Sequence, residues 1–187
     1  MKGIRIFIAS SEELSNERIT LGGLVCKLEK IFEEEGFALE LLEWEDFDSA
    51  YNGVRKQDEY NEKIRTADIF IGLFWTKAGA YTLEEYNVAK QSFKEKSTPR
   101  IHVFFKQEDK DYKHCVNLNS FITRTVPEDR THSCTFNGMD ELKLAFVRTI
   151  LNDYPLKKAQ LKEDNGVIRL GNIKIANASK QGETCVR

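Results

Sequence analysis

The sequence predicts an α/β protein built on a five-stranded parallel sheet that lies between two layers of helices. Short apolar segments alternate with amphipathic helical patterns along residues 1–153, and such βα alternation gives parallel sheets with right-handed crossovers. Residues 69–75 are apolar without interruption, as expected of a central strand that is covered on both faces. Five strands suit the order 2-1-3-4-5, so a flavodoxin-like three-layer sandwich is expected.

The strands are predicted from short apolar or alternating segments that polar loops separate. The first strand begins almost at the N-terminus, with the sequence Ile-Arg-Ile-Phe-Ile-Ala. The last is a weak strand at the edge of the sheet. The predicted strands cover residues 4–9, 38–44, 69–75, 101–105 and 131–136.

Helices are predicted where apolar residues recur at spacings of three, four and seven. The longest such pattern runs from Leu14 to Phe32, and Gly36 ends it in the usual C-terminal manner. A polar loop over residues 46–57 follows the second strand. Further helices are predicted at about 58–66, 83–96, 115–124 and 138–152.

The chain is predicted to divide near residue 153. Residues 1–153 form the α/β domain, and residues 154–187 are expected to be a linker or the start of a further domain. The tail has too few large apolar residues for a core of its own. Residues 167–175 have the pattern of a small hairpin around Gly171 and Asn172.

Composition excludes several classes of function. The net charge of −2 gives no general attraction for nucleic acid or for an anionic membrane surface. The four cysteines are scattered and the three histidines show no ligand spacing, so neither a metal site nor a disulfide framework is expected. No apolar run approaches the roughly 18 residues of a membrane span. We therefore expect a soluble, cytoplasmic protein.

Polar residues follow strands one and three at the carboxyl edge of the predicted sheet. These strands are neighbours whose crossovers leave on opposite faces, and α/β proteins bind ligands in the crevice that this opens. Ser10 and Ser11 follow strand one, where a helix start with free backbone N–H groups can accept a phosphate. The spacing from Ser10 to Glu13 is equally that of a capping box, which needs no ligand.

Glu85 is the strongest candidate for chemistry. The helical phase places it with Thr82, Ala89 and Ser92 on a stripe of small residues, whereas Glu84 faces solvent. A carboxylate in the first turn of a helix is favoured in its ionised form by the helix dipole. It would then stabilise positive charge rather than donate a proton. The spacing from Thr82 to Glu85 also fits a capping box, so a purely structural role stays open.

Side chains that could bind a nucleotide lie near the same strand ends. Phe47 follows strand two, and Trp75 and Tyr81 flank the loop after strand three. Their rings are able to stack on a heterocycle, although such rings also serve as loop anchors. Lys77 precedes Glu85 in that loop and could meet a phosphate as a point charge, or be an ordinary exposed lysine.

Three segments together resemble the prokaryotic branch of the Toll/interleukin-1 receptor (TIR) domains. They are Ile6-Phe-Ile-Ala-Ser-Ser-Glu-Glu-Leu-x-x-Glu-Arg18, Ala67-Asp-Ile-Phe-Ile-Gly72 and Gly79-x-x-Thr-x-x-Glu-Tyr-x-x-Ala89. The resemblance spans roughly residues 3–152 in element order. Its most diagnostic part is the third segment, in which Glu85 occupies the place of the catalytic glutamate of the family. The Ser-x-Trp-Cys signature of animal and plant members is replaced here by Gly79-Ala-Tyr-Thr82.

The resemblance implies an NAD⁺ glycohydrolase that releases nicotinamide and ADP-ribose or a cyclic ADP-ribose. It implies an effector of bacterial antiviral defence with a fused or partner sensor domain, activated by self-association that involves the loop at 46–57. NAD⁺ would be the substrate, and no cofactor is needed. Nicotinamide in NAD⁺ is already a cation and leaves without an acid, so one carboxylate such as Glu85 is sufficient, unlike the two of ordinary glycosidases.

Two alternatives stay open at this stage. One is a non-catalytic TIR module for protein interaction, in which Glu85 only caps a helix. The other is an enzyme like the nucleoside deoxyribosyltransferases, which also place a glutamate on an α/β fold and consume deoxynucleosides.

Overall fold

The computed structural model of the protein describes residues 1–42 and 56–178. Five strands form one parallel sheet in the order β2-β1-β3-β4-β5, which confirms the predicted topology. The central strand β3 is buried along its whole length, as its unbroken apolar sequence predicted. The strands are β1 (Lys2–Ser10), β2 (Phe37–Leu41), β3 (Ile69–Phe74), β4 (Arg100–Lys106) and β5 (His132–Phe136).

Helices cover both faces of the sheet, because successive side chains of each strand point to opposite sides. Ile69, Ile71 and Leu73 of β3 pack into a core with the first and the last long helix. Phe70 and Phe74 pack into a second core with the other helices. The helices are α1 (Ser15–Glu33), α2 (Lys56–Thr66), α3 (Ala80–Lys96), α4 (Val116–Ser120), α5 (Val126–Glu128) and α6 (Met139–Asp153).

The division of helices between the two faces places a topological switch point between β1 and β3, as the sequence predicted. α1 and α6 lie on one face, while α2, α3 and the irregular segment from α4 to α5 lie on the other. β1 and β3 are paired in register from Ile6 and Ile69 to Ser10 and Leu73. The chain therefore leaves β1 toward one face and leaves β3 toward the other, which is the topological switch point of the sheet.

Element boundaries differ from the prediction at helix starts. A short 3₁₀ turn, Glu12–Leu14, precedes α1. α3 begins at Ala80 rather than at residue 83, because Gly79 takes the extended N-cap conformation. The segment predicted as helix at 115–124 is α4 followed by a π-helical turn, Phe121–Thr125.

The C-terminal residues form a small antiparallel sheet in the order β6-β7-β8, with β6 (Leu161–Asp164), β7 (Val167–Leu170) and β8 (Ile173–Asn177). The predicted hairpin around Gly171 and Asn172 is confirmed, and Gly171 has the positive φ of 57° that such a turn favours. β6 was not predicted, because its residues are charged and mostly exposed. Leu170 and Ile175 are fully buried in the core of α1 and α6. The division of the chain near residue 153 stays a prediction.

None of the helices within residues 1–42 and 56–178 is long and apolar enough to cross a bilayer.

Candidate active site

The loops that follow β1 and β3 are joined across the switch point by Glu13. Its carboxylate accepts hydrogen bonds from Ser11 Oγ at 3.0 Å, from the Thr76 backbone N–H at 3.2 Å and from Thr76 Oγ1 at 2.5 Å. Gly79 lies near Ser11, because a Cβ added to this glycine would be 3.9 Å from Ser11 Cβ. The two loops therefore hold each other in place at the switch point.

The capping box predicted from Ser10 to Glu13 is wrong. Ser10 is the last residue of β1, and Ser11 precedes the 3₁₀ turn without a capping hydrogen bond from its side chain. The Glu13 carboxylate instead accepts hydrogen bonds from Thr76, which lies in the loop after β3. Ser10 Oγ accepts a hydrogen bond of 2.5 Å from Nη1 of Arg18.

Glu85 is buried, with only 8% of its surface exposed. It lies in the second turn of α3, since that helix begins at Ala80. The predicted capping box with Thr82 is therefore wrong, and Thr82 is itself a buried residue within the helix. Glu85 Oε1 accepts a hydrogen bond of 3.2 Å from Nε2 of Gln57 on α2. The inward direction predicted for Glu85 from helical phase is confirmed.

Glu84, the neighbouring acid, faces α2 rather than open solvent. Its Oε1 accepts a hydrogen bond of 3.0 Å from Nδ2 of Asn61, and the residue is half-buried. α2 thus presents one amide to each of two consecutive glutamates, and one of these, Gln57, reaches the buried acid.

Burial raises the pKa of Glu85 from 4.5 to about 7. The hydrogen bond from Gln57 and the positive charge of Arg18 lower this pKa, but they do not outweigh burial, and the charge of Glu84 raises it further. The expectation that the helix dipole keeps Glu85 ionised is wrong, because the dipole acts within the first turn and Glu85 lies beyond it. Both the ionised and the neutral form of the carboxyl group are present at neutral pH.

Sequence reasoning missed Arg18, Gln57 and Tyr60. Arg18 comes from the first turn of α1, and its Nη1 also lies 3.4 Å from the carbonyl oxygen of Ser10. Burial and the charge of Glu85 raise the pKa of Tyr60, whereas the charge of Arg18 lowers it. The spacing of Gln57 and Tyr60 was a weak indication of their place in the site, because residues three apart lie on the same face of a helix. The topology places this helix beside α3.

Of the other predicted site residues, Trp75 packs away from α3, and Lys77 and Tyr81 are exposed. Trp75 packs on the α1 and α6 side of the sheet, where Lys106 Nζ lies 4.0 Å from its ring centroid and the Tyr112 ring centroid lies at 4.7 Å. Tyr81 is 66% exposed and Lys77 is also exposed. Phe47 and most of the loop at 46–57 lie outside the described residues.

Two surface cavities lie away from Glu85. One, of about 530 Å³, lies between α1 and the C-terminal sheet and is lined by exposed side chains such as Lys30, Lys162 and Arg169. The other, of about 510 Å³, lies at the start of α6 beside Asn177. We place the candidate site at Glu85 instead, because a buried acid with a raised pKa at a switch point is a stronger sign of chemistry than the size of an open groove.

Among the residues that the structure describes, no group of three or more histidine, cysteine, aspartate or glutamate side chains is arranged to hold a metal ion.

No protein-family model and no curated protein sequence matches this chain. Solved structures do match, and one of them is a CMP N-glycosidase from Clostridium botulinum, BcmB. The match covers 76% of this chain and 98% of that chain, with 17% sequence identity and a TM-score of 0.46. A likeness at this level assigns no activity to this chain.

Proposed function

We propose that this protein hydrolyses the N-glycosidic bond of a nucleotide, with NAD⁺ as its substrate and Glu85 as the catalytic residue. The observation that carries the proposal is the burial of Glu85 beside the switch point, where the neutral amide of Gln57 donates a hydrogen bond to it. The choice of NAD⁺ rests on the resemblance of three sequence segments to TIR domains.

The reaction needs one carboxylate and water. The bond between C1′ of the ribose and the pyridinium nitrogen breaks, and its electron pair passes to that nitrogen, so nicotinamide leaves as a neutral molecule. The ionised Glu85 stabilises the positive charge that develops on the ribosyl group. A water oxygen then bonds to C1′ and releases one proton to Glu85 or to solvent. Electrostatic stabilisation of this kind is strongest in a site of low dielectric constant.

The raised pKa of Glu85 sets the pH dependence of this reaction. The carboxylate must be ionised to stabilise a cation, and its pKa is about 7 in the free protein. We therefore expect kcat/KM for NAD⁺ to rise with pH through about 7 and then to level off. The positive charge of the bound pyridinium favours the ionised form, so kcat is expected to level off at a lower pH.

The decisive experiment follows nicotinamide release from NAD⁺ by the full chain over a series of protein concentrations. The concentration series is included because the resemblance implies activation by self-association. Glu85→Gln should lower kcat by about 10²–10³-fold, the usual loss when one stabilising group is removed. Glu95→Gln is the matched control, because Glu95 is exposed near the end of the same helix. Unchanged activity of Glu85→Gln would remove Glu85 from the mechanism.

The absence of nicotinamide at every protein concentration, together with no cleavage of deoxynucleosides or CMP, would instead support the non-catalytic interaction module. The proposed self-association, the sensor domain and the role in antiviral defence depend on the same resemblance.

A second candidate is cleavage of a nucleoside or nucleotide whose base is neutral. One observation favours it, because a carboxyl group with a pKa of about 7 is partly protonated at neutral pH and can donate a proton to a leaving base. Deoxynucleosides and CMP, which appears in the name of the similar structure, belong in the same substrate panel. If the neutral acid is the active form, the rate would fall as the pH rises through about 7.

A further inference from the structure

Gln57 and Glu85 form a buried hydrogen bond between two helices. Gln57 is 6% exposed and Glu85 is 8% exposed, and the bond joins Nε2 of the amide to Oε1 of the carboxyl group. The two residues are 28 positions apart in the sequence. Because both polar groups are removed from water, each requires this partner, and its loss would leave a buried polar atom unsatisfied.

The direction of this bond distinguishes the two oxygens of Glu85. With the Gln57 amide in this orientation its N–H donates to Oε1, which then serves as the acceptor in both protonation states. When Glu85 is neutral, its proton is therefore held on Oε2. When Glu85 is ionised, Oε1 is already engaged, and Oε2 keeps more of its capacity to interact with a substrate.

We propose that Gln57 is a positioning residue that engages Oε1 of Glu85 and so makes Oε2 the oxygen that acts on the ribosyl group. This inference rests on the proposed function, since it assigns a role within the same reaction. Without Gln57 the carboxyl group could rotate about its terminal torsion, whose energy profile is broad and roughly two-fold. Misorientation of a catalytic group by small distances is costly to the rate.

Among residues 1–42 and 56–178, three other groups act on Glu85, and all of them are retained when Gln57 is replaced. They are the guanidinium of Arg18 on α1, the phenol of Tyr60 on α2 and the carboxylate of Glu84 on α3. A change that follows replacement of Gln57 therefore reports the lost hydrogen bond. Since this bond favours the ionised form of Glu85, its removal moves the pKa of Glu85 upward.

The test compares Gln57→Leu with Asn61→Leu, which removes the corresponding amide from Glu84 on the same pair of helices. For Gln57→Leu we expect kcat for NAD⁺ to fall by about tenfold or more, with KM changed by less than about threefold. The rise of activity with pH should also move to higher pH. Asn61→Leu should leave both kcat and this pH dependence nearly unchanged.

Gln57→Glu is the second variant, in case the leucine variant does not fold. It keeps the size of the side chain and places a second carboxyl group beside Glu85, so that the pair shares one proton. The rise of activity should then move to higher pH, as in Gln57→Leu. The positioning role of Gln57 would be overturned by an unchanged pH profile of activity in both Gln57 variants. It would also be overturned if Asn61→Leu lost as much kcat as Gln57→Leu.

A direct titration separates this inference from the proposed function. The carboxyl ¹³C signal of Glu85 is followed against pH in the full chain, with and without Gln57→Leu. Suppose that the pKa of Glu85 shifts upward in Gln57→Leu while the unmodified protein cleaves no NAD⁺. This result would support the control of Glu85 by Gln57 and would contradict the proposed hydrolysis. An unshifted pKa would overturn the positioning role whether or not NAD⁺ is cleaved.

Discussion

Glu85 is buried and Asp153 is half-buried with a side chain that is only 6% exposed, yet the pKa values of these two acids move in opposite directions. Glu85 lies in α3, the helix that follows β3, and accepts a hydrogen bond from the neutral amide of Gln57. Asp153 ends α6, where Arg100 Nη1 and His102 Nε2 at the start of β4 each lie 2.8 Å from one of its oxygens. Burial alone would raise the pKa of both acids.

The groups that contact each acid decide whether its pKa rises or falls. At Asp153 the bonds and charges of His102 and Arg100 outweigh burial, and the pKa falls below its usual value. At Glu85 burial outweighs the partners, and the pKa rises to about 7. An acid that is paired with a cation, as Asp153 is with Arg100, holds elements together. One whose hydrogen-bond donor is a neutral amide, as at Glu85, keeps an exchangeable proton near physiological pH. The second arrangement is typical of functional sites.

The largest effect on stability is expected from Glu85→Gln. The folded state holds the proton of Glu85 up to a pH of about 7, whereas the unfolded chain releases it near 4.5. The free energy of unfolding therefore decreases as the pH rises between these values, by at most about 3 kcal/mol at 1.36 kcal/mol per pKa unit. The glutamine variant has no such loss. Its Tm should exceed that of the unmodified protein by up to about 10 °C at pH 8, and the difference should vanish at pH 4.

Equal thermal stability of the two proteins at pH 8 would contradict the contrast between Glu85 and Asp153, because burial would then not disfavour the ionised form of Glu85. Glu95→Gln again serves as the control, and its Tm should follow that of the unmodified protein at both pH values.

Whereas Glu85→Gln should raise the stability of the protein, Asp153→Asn should lower it. It leaves Arg100 and the buried His102 without their anion, so we expect a loss of about 2 kcal/mol in the free energy of unfolding at pH 7. The pKa of Asp153 is lowered in the folded state, so its contribution is present above the unfolded value of about 3.8 and is lost as the pH falls through the folded value. Urea unfolding at several pH values would show this difference shrinking in strong acid.

A stability of Asp153→Asn that equals that of the unmodified protein at pH 7 would show that the ion pair contributes nothing net. The contrast with Glu85 would then rest on burial alone.

The smallest effect is expected from Glu84→Gln, which tests the electrostatic surroundings of Glu85 in the candidate site. The charge of Glu84 raises the pKa of Glu85, so its removal should move the rise of activity to lower pH. The gain in NAD⁺ cleavage at pH 6 should be at most about fivefold, because interactions between partly solvated charges are worth less than about 1 kcal/mol. A shift to higher pH would contradict the electrostatic account.

The fold was predictable because its signals are local. The unbroken apolar run of β3 and the spacing of apolar residues in α1 are properties of neighbouring positions, and they define strand and helix regardless of the rest of the chain. The C-terminal sheet was predicted only in its hairpin. β6 packs through few apolar side chains, so its sequence carries no strand pattern.

The candidate site was predictable in part. Helical phase singled out Glu85 and gave its inward direction, because phase depends only on spacing within one helix. The aromatic residues were a weaker guide. Nothing in the local sequence shows that Trp75 packs against Lys106 and Tyr112, which follow it by about thirty residues or more.

The sequence by itself determined the order of elements, the switch point between β1 and β3, and the acid that lies there. Only the tertiary structure decided the state of that acid. The pKa of Glu85 depends on how much water surrounds it and on which groups face it, and two of these groups, Arg18 and Gln57, come from α1 and α2. Contacts between distant segments form only when the chain folds, so the proton on Glu85 is a property of the fold rather than of the motif.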